Sequence, residues 1–255
     1  MKDSQIIDND ILLNMIDNHI NEGIASSFIR KGDGENIVIG YKKIDGIKFK
    51  DFNRMMRIMN VRLFNYKFQE FIRKSLVESF NNCNVLGISK ENQRFGHWKI
   101  EEKILALLDF SSNKYCDMNF HMEFIKYPNK KELDISVARK IISNKKIGII
   151  SCFDVSDFLA RHNTIVKKWI KMPIQKDKLL NRKLNILFYN DIFAEIINNK
   201  VDFWIVAAGI HAKIFCNQIK LNGGIAIDLG SSIDSWKNIY SSRGYLSEIF
   251  NRFNK

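Results

Sequence analysis

Asp33 and Glu35 stand two residues apart in Arg30-Lys31-Gly32-Asp33-Gly34-Glu35, with glycine before and between them. In an extended or turn segment residues i and i+2 project to one side, so the spacing predicts two convergent carboxylates. Facing carboxylates repel, and one of them stays protonated unless a cation lies between them. Mg²⁺ or Mn²⁺ meets that need, because such hard ions take one or two carboxylates together with phosphate oxygens and water. Gly32 and Gly34 let the backbone bend and approach a ligand. Arg30 carries planar donors suited to a phosphate. The same residues also describe a polar turn that caps a following helix.

Two later segments carry similar chemistry. Ala207-Ala208-Gly209-Ile210-His211-Ala212-Lys213 passes from an apolar run into a helical pattern with a glycine at the bend. The N–H groups at a helix start attract anions, phosphate included. One glycine is not the G-x-G-x-x-G series, so the dinucleotide fingerprint is absent. Lys213 could meet a ligand or sit solvated, and His211 could do the same or be an internally satisfied histidine. In Asp228-Leu229-Gly230-Ser231-Ser232-Ile233-Asp234-Ser235-Trp236, Asp228 closes an apolar run. An acid in that place accepts hydrogen bonds from a sugar hydroxyl or acts as a base. Gly230 and Ser231 offer N–H and hydroxyl donors to phosphate. Asp234 reads either as a ligand contact or as a helix cap, and Trp236 as core. In the middle of the chain His121 and Glu123, again two apart, suit strand-end contacts or an acceptor base.

The elements around these residues alternate. Helical spacing covers Ile7 to Ile20, Phe49 to Met59, Phe64 to Phe80, Ile100 to Leu108, Lys131 to Ser143 and Ile186 to Asn198. Short apolar runs fall at Ala25 to Ile29, Val85 to Ile88, Ile147 to Ile150, Ile165 to Ile170, Phe203 to Ala208 and Ile225 to Ile227. Non-alternating apolar strands separated by helices are what a parallel sheet covered on both faces requires. The expected fold is therefore α/β, a Rossmann-like, mostly parallel sheet flanked by helices on both faces. Ligands in such sheets collect at the carboxyl ends of the strands. That rule singles out the loops after Ile29, Ala208 and Ile227.

Composition sets limits. The 255 residues, 45% hydrophobic with 13 glycines and 2 prolines, suffice for one large core and argue against a disordered chain. We read residues 1–255 as one domain, since no linker or repeat interrupts them. Cys83, Cys116, Cys152 and Cys216 form no C-x-x-C pair and read as buried thiols in a reducing compartment. The start lacks a signal-peptide pattern. The most apolar window, Val201 to Phe215, is broken by Asp202, His211 and Lys213 and falls short of the roughly 20 residues that span a bilayer. A cytoplasmic protein is expected. Forty Lys and Arg against 28 Asp and Glu leave a net charge of +12, which favours an anionic partner. The basic residues look scattered, at Lys42, Lys43, Lys48, Lys130, Lys131, Lys145, Lys146, Lys167 and Lys168. That weighs against a nucleic-acid-binding module. Attraction to an anionic membrane surface or an acidic glycan uses the charge better.

Phe28-Ile29-Arg30-Lys31-Gly32-Asp33-Gly34-Glu35 resembles the R-x-G-D-G-E signature of the GT-D class of glycosyltransferases, formerly a domain of unknown function. Val206 through Lys213, Gly223 through Ser231 and Asp234-Ser235-Trp236 are similar to that family's ending. Lys31 departs from the pattern, in a place where an apolar or aromatic residue is usual. The resemblance implies a Rossmann-like fold and a metal-dependent hexosyltransferase with a nucleotide-sugar donor, typically UDP-linked. It implies a D-x-E site formed by Asp33 and Glu35 holding Mn²⁺ or Mg²⁺. Arg30, Gly32, Gly34, Gly209, Lys213, Asp228, Gly230, Ser231 and Asp234 would lie around the donor, with Asp228 grouped with the catalytic carboxylates. The acceptor would be a glycan, a glycoprotein or a lipid-linked saccharide, the last consistent with peripheral contact at the inner face of a membrane. The rival readings are a basic nucleic-acid-binding module and another nucleotide-dependent transferase such as a methyltransferase.

Overall fold

Apolar runs too short for helices become parallel strands. In the computed structural model, which describes residues 6–62, 64–91, 96–108, 114–125, 134–173 and 184–237, eight of them pair side by side in one sheet. In chain order they are β1 (Ile6–Ile7), β2 (Ser26–Arg30), β3 (Val85–Ile88), β4 (Lys114–Asp117), β5 (Lys146–Ser151), β6 (Ile165–Lys171), β7 (Phe203–Ala207) and β8 (Ile225–Asp228). Their spatial order is β1-β4-β3-β2-β8-β7-β5-β6, and every pairing is parallel. The expected α/β sheet is present. The central strands are buried on both sides, which is why their sequences show no polar alternation. The edge is different: β6 exposes Lys167 and carries Lys168 and Lys171, charges that discourage pairing with another chain.

The helices divide between the two faces. Alternate residues of β2 point into separate cores, Ile29 into one and Phe28 into the other. The Ile29 side is covered by α2 (Asp33–Gly40), α3 (Phe49–Ile58), α4 (Tyr66–Asn82), α5 (Glu101–Leu105), α8 (Ile186–Asn198) and α9 (His211–Leu221). The Phe28 side is covered by α1 (Asn9–Glu22), α6 (Ser136–Ile142), α7 (Ser156–Ala160) and α10 (Ser232–Trp236). Neighbouring strands β2 and β8 thus lead to helices on opposite faces. Such a divergence opens a crevice at the carboxyl edge of the sheet, the usual ligand position in open α/β folds.

Among the elements with no counterpart in the expected series are β1, β4, α2 and the short α10. β1 and β4 contain too few residues for a visible pattern. The first turn of α2 is Asp33-Gly34-Glu35, a segment read from sequence as extended or turn. Gly34 and Gly40 lower helix propensity there, yet burial of Ile37, Val38 and Ile39 stabilises the helix. Gly34 is not open to a ligand: a Cβ on it would lie 2.6 Å from Met55 Cε and 3.1 Å from Ile210 Cδ1. Its role is to let α2 pack closely on α3 and on the turn before α9. Residues 131–133 of the expected helix Lys131 to Ser143 lie outside the described residues, and the helix runs Ser136–Ile142.

Lys31, the departure from the family pattern, is fully buried. Its Nζ donates to Glu101 Oε2 at 2.5 Å and Asn36 Oδ1 at 2.6 Å. The same Glu101 oxygen accepts from Asn36 Nδ2 at 2.8 Å, so helices α2 and α5 are tied to the end of β2. Burying this pair is tolerated only because both partners are present. Lys31→Met should therefore lower unfolding free energy by about 3–5 kcal/mol. The double change Lys31→Met with Glu101→Leu should recover most of that loss. Urea titration of the two variants beside the parent measures it.

Candidate functional site

The crevice is assembled from the three loops singled out by the strand-end rule. β2 ends at Arg30, and α2 starts two residues after Lys31 with Gly32 as its N-cap. In a helix, residues i and i+2 point in widely different directions, so Asp33 and Glu35 diverge. Asp33 is exposed, whereas Glu35 turns inward and is 4% exposed. Glu35 Oε2 accepts the Gly32 N–H at 3.0 Å, half of a capping box, since glycine has no side chain to complete it. The convergent carboxylate pair expected from sequence is not formed, because the segment is helical rather than extended.

What converges with Glu35 is Asp228, with a lysine between them. Lys213 Nζ lies 3.0 Å from Glu35 Oε1 and 2.7 Å from Asp228 Oδ2, and it donates to the Gly209 carbonyl at 3.1 Å. Three ammonium hydrogens meet three acceptors. Asp228 is fully buried, and its Oδ1 accepts the Gly230 N–H at 3.1 Å while Oδ2 also faces the Arg30 N–H at 3.4 Å. Burial alone would raise the Glu35 carboxyl, but the Lys213 charge and hydrogen bond outweigh it and hold the carboxyl below its ordinary value. Burial would likewise lower Lys213, yet Asp228 and Glu35 raise it. The lysine read as a ligand contact or solvated residue is instead a buried cation, 5% exposed, at the junction of three loops.

Arg30 is half-buried, and its Nε donates to the Met118 carbonyl at 2.6 Å, which fixes the guanidinium plane. Gly230, at φ +49°, lies beneath it: a Cβ there would sit 2.2 Å from Arg30 Nη1. The positive φ favours glycine at this position, and any side chain there would displace the guanidinium. The Gly230 N–H, expected to face a phosphate, is taken by Asp228. Ser231 is buried at the start of α10, and Asp234 stands in that helix's first turn, half-buried. Trp236 is core, as expected, with Nε1 donating to the Phe124 carbonyl and its ring stacked on Phe158.

Beside this junction is a cavity of about 120 Å³ lined in part by Asn60, Cys152, Gly209, His211, Gly230 and Asp234. It is smaller than the ~300–1,000 Å³ typical of ligand sites, so a large ligand must extend over the open sheet edge. His211 is neutral in its setting: burial depresses it to about 4, Nδ1 accepts from the Tyr189 hydroxyl, and Nε2 donates to the Met59 carbonyl at 3.0 Å. It is the satisfied histidine of the two readings. His121 is also fully buried, and Glu123 accepts from Asn9 Nδ2 at 2.9 Å, which favours their structural reading. All four cysteines are free thiols; Cys152 is half-buried at the cavity and the other three are buried.

Comparison with known proteins comes to the same fold. The family described as GT-D-like, a GT-D fold-like domain, matches residues 7–236. The selenomethionine-substituted structure of domain of unknown function 1792 superimposes with a TM-score of 0.53 at 16% identity, covering 91% of this chain and 85% of that one. A second structure, described as showing that this highly conserved domain has a distinct glycosyltransferase fold, gives a TM-score of 0.54 at 16% identity over 89% and 79% of the chains. A search of curated proteins found no match.

Replacing Lys213 tests the junction. In the parent protein, Glu35 is held below its ordinary value of 4.5, so its contribution to stability is present above that pH and is lost as pH falls through the folded value. Lys213 is raised above 10.5, so its contribution is present below that pH and is lost as pH rises through the folded value. Lys213→Met leaves two buried carboxylates uncompensated and should cost about 3–5 kcal/mol at neutral pH. Its melting temperature should then rise on acidification from neutrality towards pH 5, as a carboxyl takes up a proton, while the parent's does not. Thermal melts of both proteins across that range check the difference.

Proposed function

The chain belongs to the GT-D-like family, and on that premise we propose that it transfers a sugar from a nucleotide-sugar donor, with a UDP-linked donor as the leading case, to a glycan, glycoprotein or lipid-linked saccharide. One observation carries the reading. Arg30 is fixed at the carboxyl edge of the sheet, at the divergence of β2 and β8, over a glycine that leaves it room. Among the described residues no acceptor meets its terminal nitrogens, so they can take the oxygens of a diphosphate.

In this reading the diphosphate lies between Arg30 and the start of α9. That helix directs its positive end at the cavity, where Gly209 and His211 form part of the wall. As the bond from the sugar to the diphosphate breaks, negative charge grows on the leaving oxygens, and preorganised donors stabilise it most. Lys213 acts indirectly: it holds Glu35 and Asp228, which hold the Gly32 and Gly230 amides and the backbone that presents Arg30. Asp234 faces the cavity and accepts a hydrogen bond from a sugar hydroxyl. Asp228, buried and fully engaged, positions rather than reacts.

The Asp33–Glu35 pair does not fit a Mn²⁺ or Mg²⁺ ion bridged by both carboxylates. Asp33 faces outward, and Glu35 presents its oxygens to Lys213 and the Gly32 amide. Among the described residues no group of three or more His, Cys, Asp or Glu side chains is arranged to hold a metal. Neither a nucleic-acid module nor a methyltransferase finds support in the family match.

A thermal-shift and hydrolysis screen of nucleotide sugars, with Mn²⁺, with Mg²⁺ and with chelator, tests the proposal. A UDP-sugar should raise the melting temperature and turn over, and Arg30→Ala should cut kcat/KM by about 10²–10³ while the fold persists. Stabilisation by an adenosyl cofactor instead of any nucleotide sugar would overturn the assignment, as would undiminished turnover in Arg30→Ala.

A further inference from the structure

Half of the chain's positive surplus falls in one stretch rather than being spread evenly. Residues 42–67 hold eight lysines and arginines against Asp45 and Asp51, a surplus of six out of the chain's net +12. Helix α3 sorts part of it by period. Phe52 and Met56 enter the core with Met59 just beyond, whereas Lys50, Arg54 and Arg57, at the same four-and-three spacing, are all exposed on the opposite side. Arg62 and Lys67 continue the basic surface past the helix end.

Large apolar side chains stand exposed in the same stretch and beside it. Phe49 at the start of α3 is 60% exposed, Phe64 beyond its end 85% and Tyr66 69%. The start of α8 adds Leu187 at 66% and Ile186 at 42%. The two segments are neighbours, because Val61 bridges Leu184 and the Leu184 N–H donates to the Asn60 carbonyl at 3.0 Å. Cations interspersed with protruding aromatic and aliphatic groups match an anionic lipid surface: the charges meet headgroups and the apolar groups enter the acyl boundary. Nucleic acid would use the cations and the aromatic rings, but has no use for exposed Leu187 and Ile186.

The face also adjoins the crevice. Ile58 and Asn60 at the end of α3, and Leu184 just before α8, line the cavity that Gly209, Gly230 and Asp234 share. We propose that the surface built by α3, Arg62, residues 64–67 and the start of α8 docks the protein on an anionic membrane. Docking sets the crevice mouth against a lipid-linked saccharide acceptor. The choice of acceptor rests on the transferase reading, whereas the docking does not.

Co-sedimentation of the full chain with phosphatidylcholine vesicles, with or without about one-third phosphatidylglycerol, is the test. The protein should pellet with the anionic vesicles only, and added salt should weaken the binding. Arg54→Glu with Arg57→Glu should reduce apparent affinity about tenfold or more. Phe64→Ser with Leu187→Ser should reduce it several-fold, most clearly at high salt. All four positions are exposed and outside the crevice, so melting temperature and donor hydrolysis without vesicles should stay at parental values. Equal pelleting with both vesicle types, no pelleting, or parental binding in both variants would overturn the proposal. So would tight binding of single-stranded RNA that Arg54→Glu with Arg57→Glu abolishes while vesicles are ignored. If donor hydrolysis is absent but vesicle binding behaves as expected, the transferase reading fails and the docking surface stands.

Discussion

An ammonium group buried between two carboxylates ties the carboxyl edge of this sheet together. Lys213 reaches from the first turn of α9 to Glu35 of α2 and Asp228 of β8 while bonding back to Gly209. Each carboxylate uses its other oxygen to hold a backbone amide, Gly32 in one case and Gly230 in the other. Three loops that are far apart in sequence therefore share one electrostatic anchor. Buried ions are costly unless every donor and lone pair is engaged, and here the lysine's three hydrogens all are. The group of three carries one excess negative charge, which favours the Arg30 guanidinium standing beside it.

Arg30 and Lys31 show how neighbouring residues of like charge come to different uses. At the end of β2 the backbone is extended, so consecutive side chains leave on opposite sides. Lys31 goes inward to Glu101 and Asn36 and becomes structural. Arg30 goes towards β8 and the loop after β4, where the Met118 carbonyl and the missing side chain of Gly230 fix its position. One cation is held out of water by a full set of partners. Among the described residues the other has no acceptor at its terminal nitrogens, and its proposed binding role rests on that difference.

The same logic extends to the surface. Helix α3 is short, and its inward side is needed by the core, so its charges can only collect on the outward side. Because α3 ends at the cavity wall, whatever its basic face rests on is brought close to the crevice. No helix among the described residues is long and apolar enough to cross a membrane.

Local pattern made much of this architecture legible. Val85–Ile88 and Ile186–Asn198 begin and end where the apolar pattern does, because burial on both faces or on one stripe leaves a direct trace in residue order. The strand-end rule also found the three loops that meet. Two things needed the fold. Gly-Asp-Gly-Glu reads as a turn locally, but packing of Ile37, Val38 and Ile39 makes it the first turn of a helix and sends Asp33 and Glu35 apart. Glu35 is paired instead through Lys213 with Asp228, which lies 193 residues further along the chain. Residue order determined which side chains could carry charge to the sheet edge. Only the three-dimensional arrangement decided which of them would neutralise one another and which would not, since a Coulomb interaction depends on distance and burial rather than on separation along the chain.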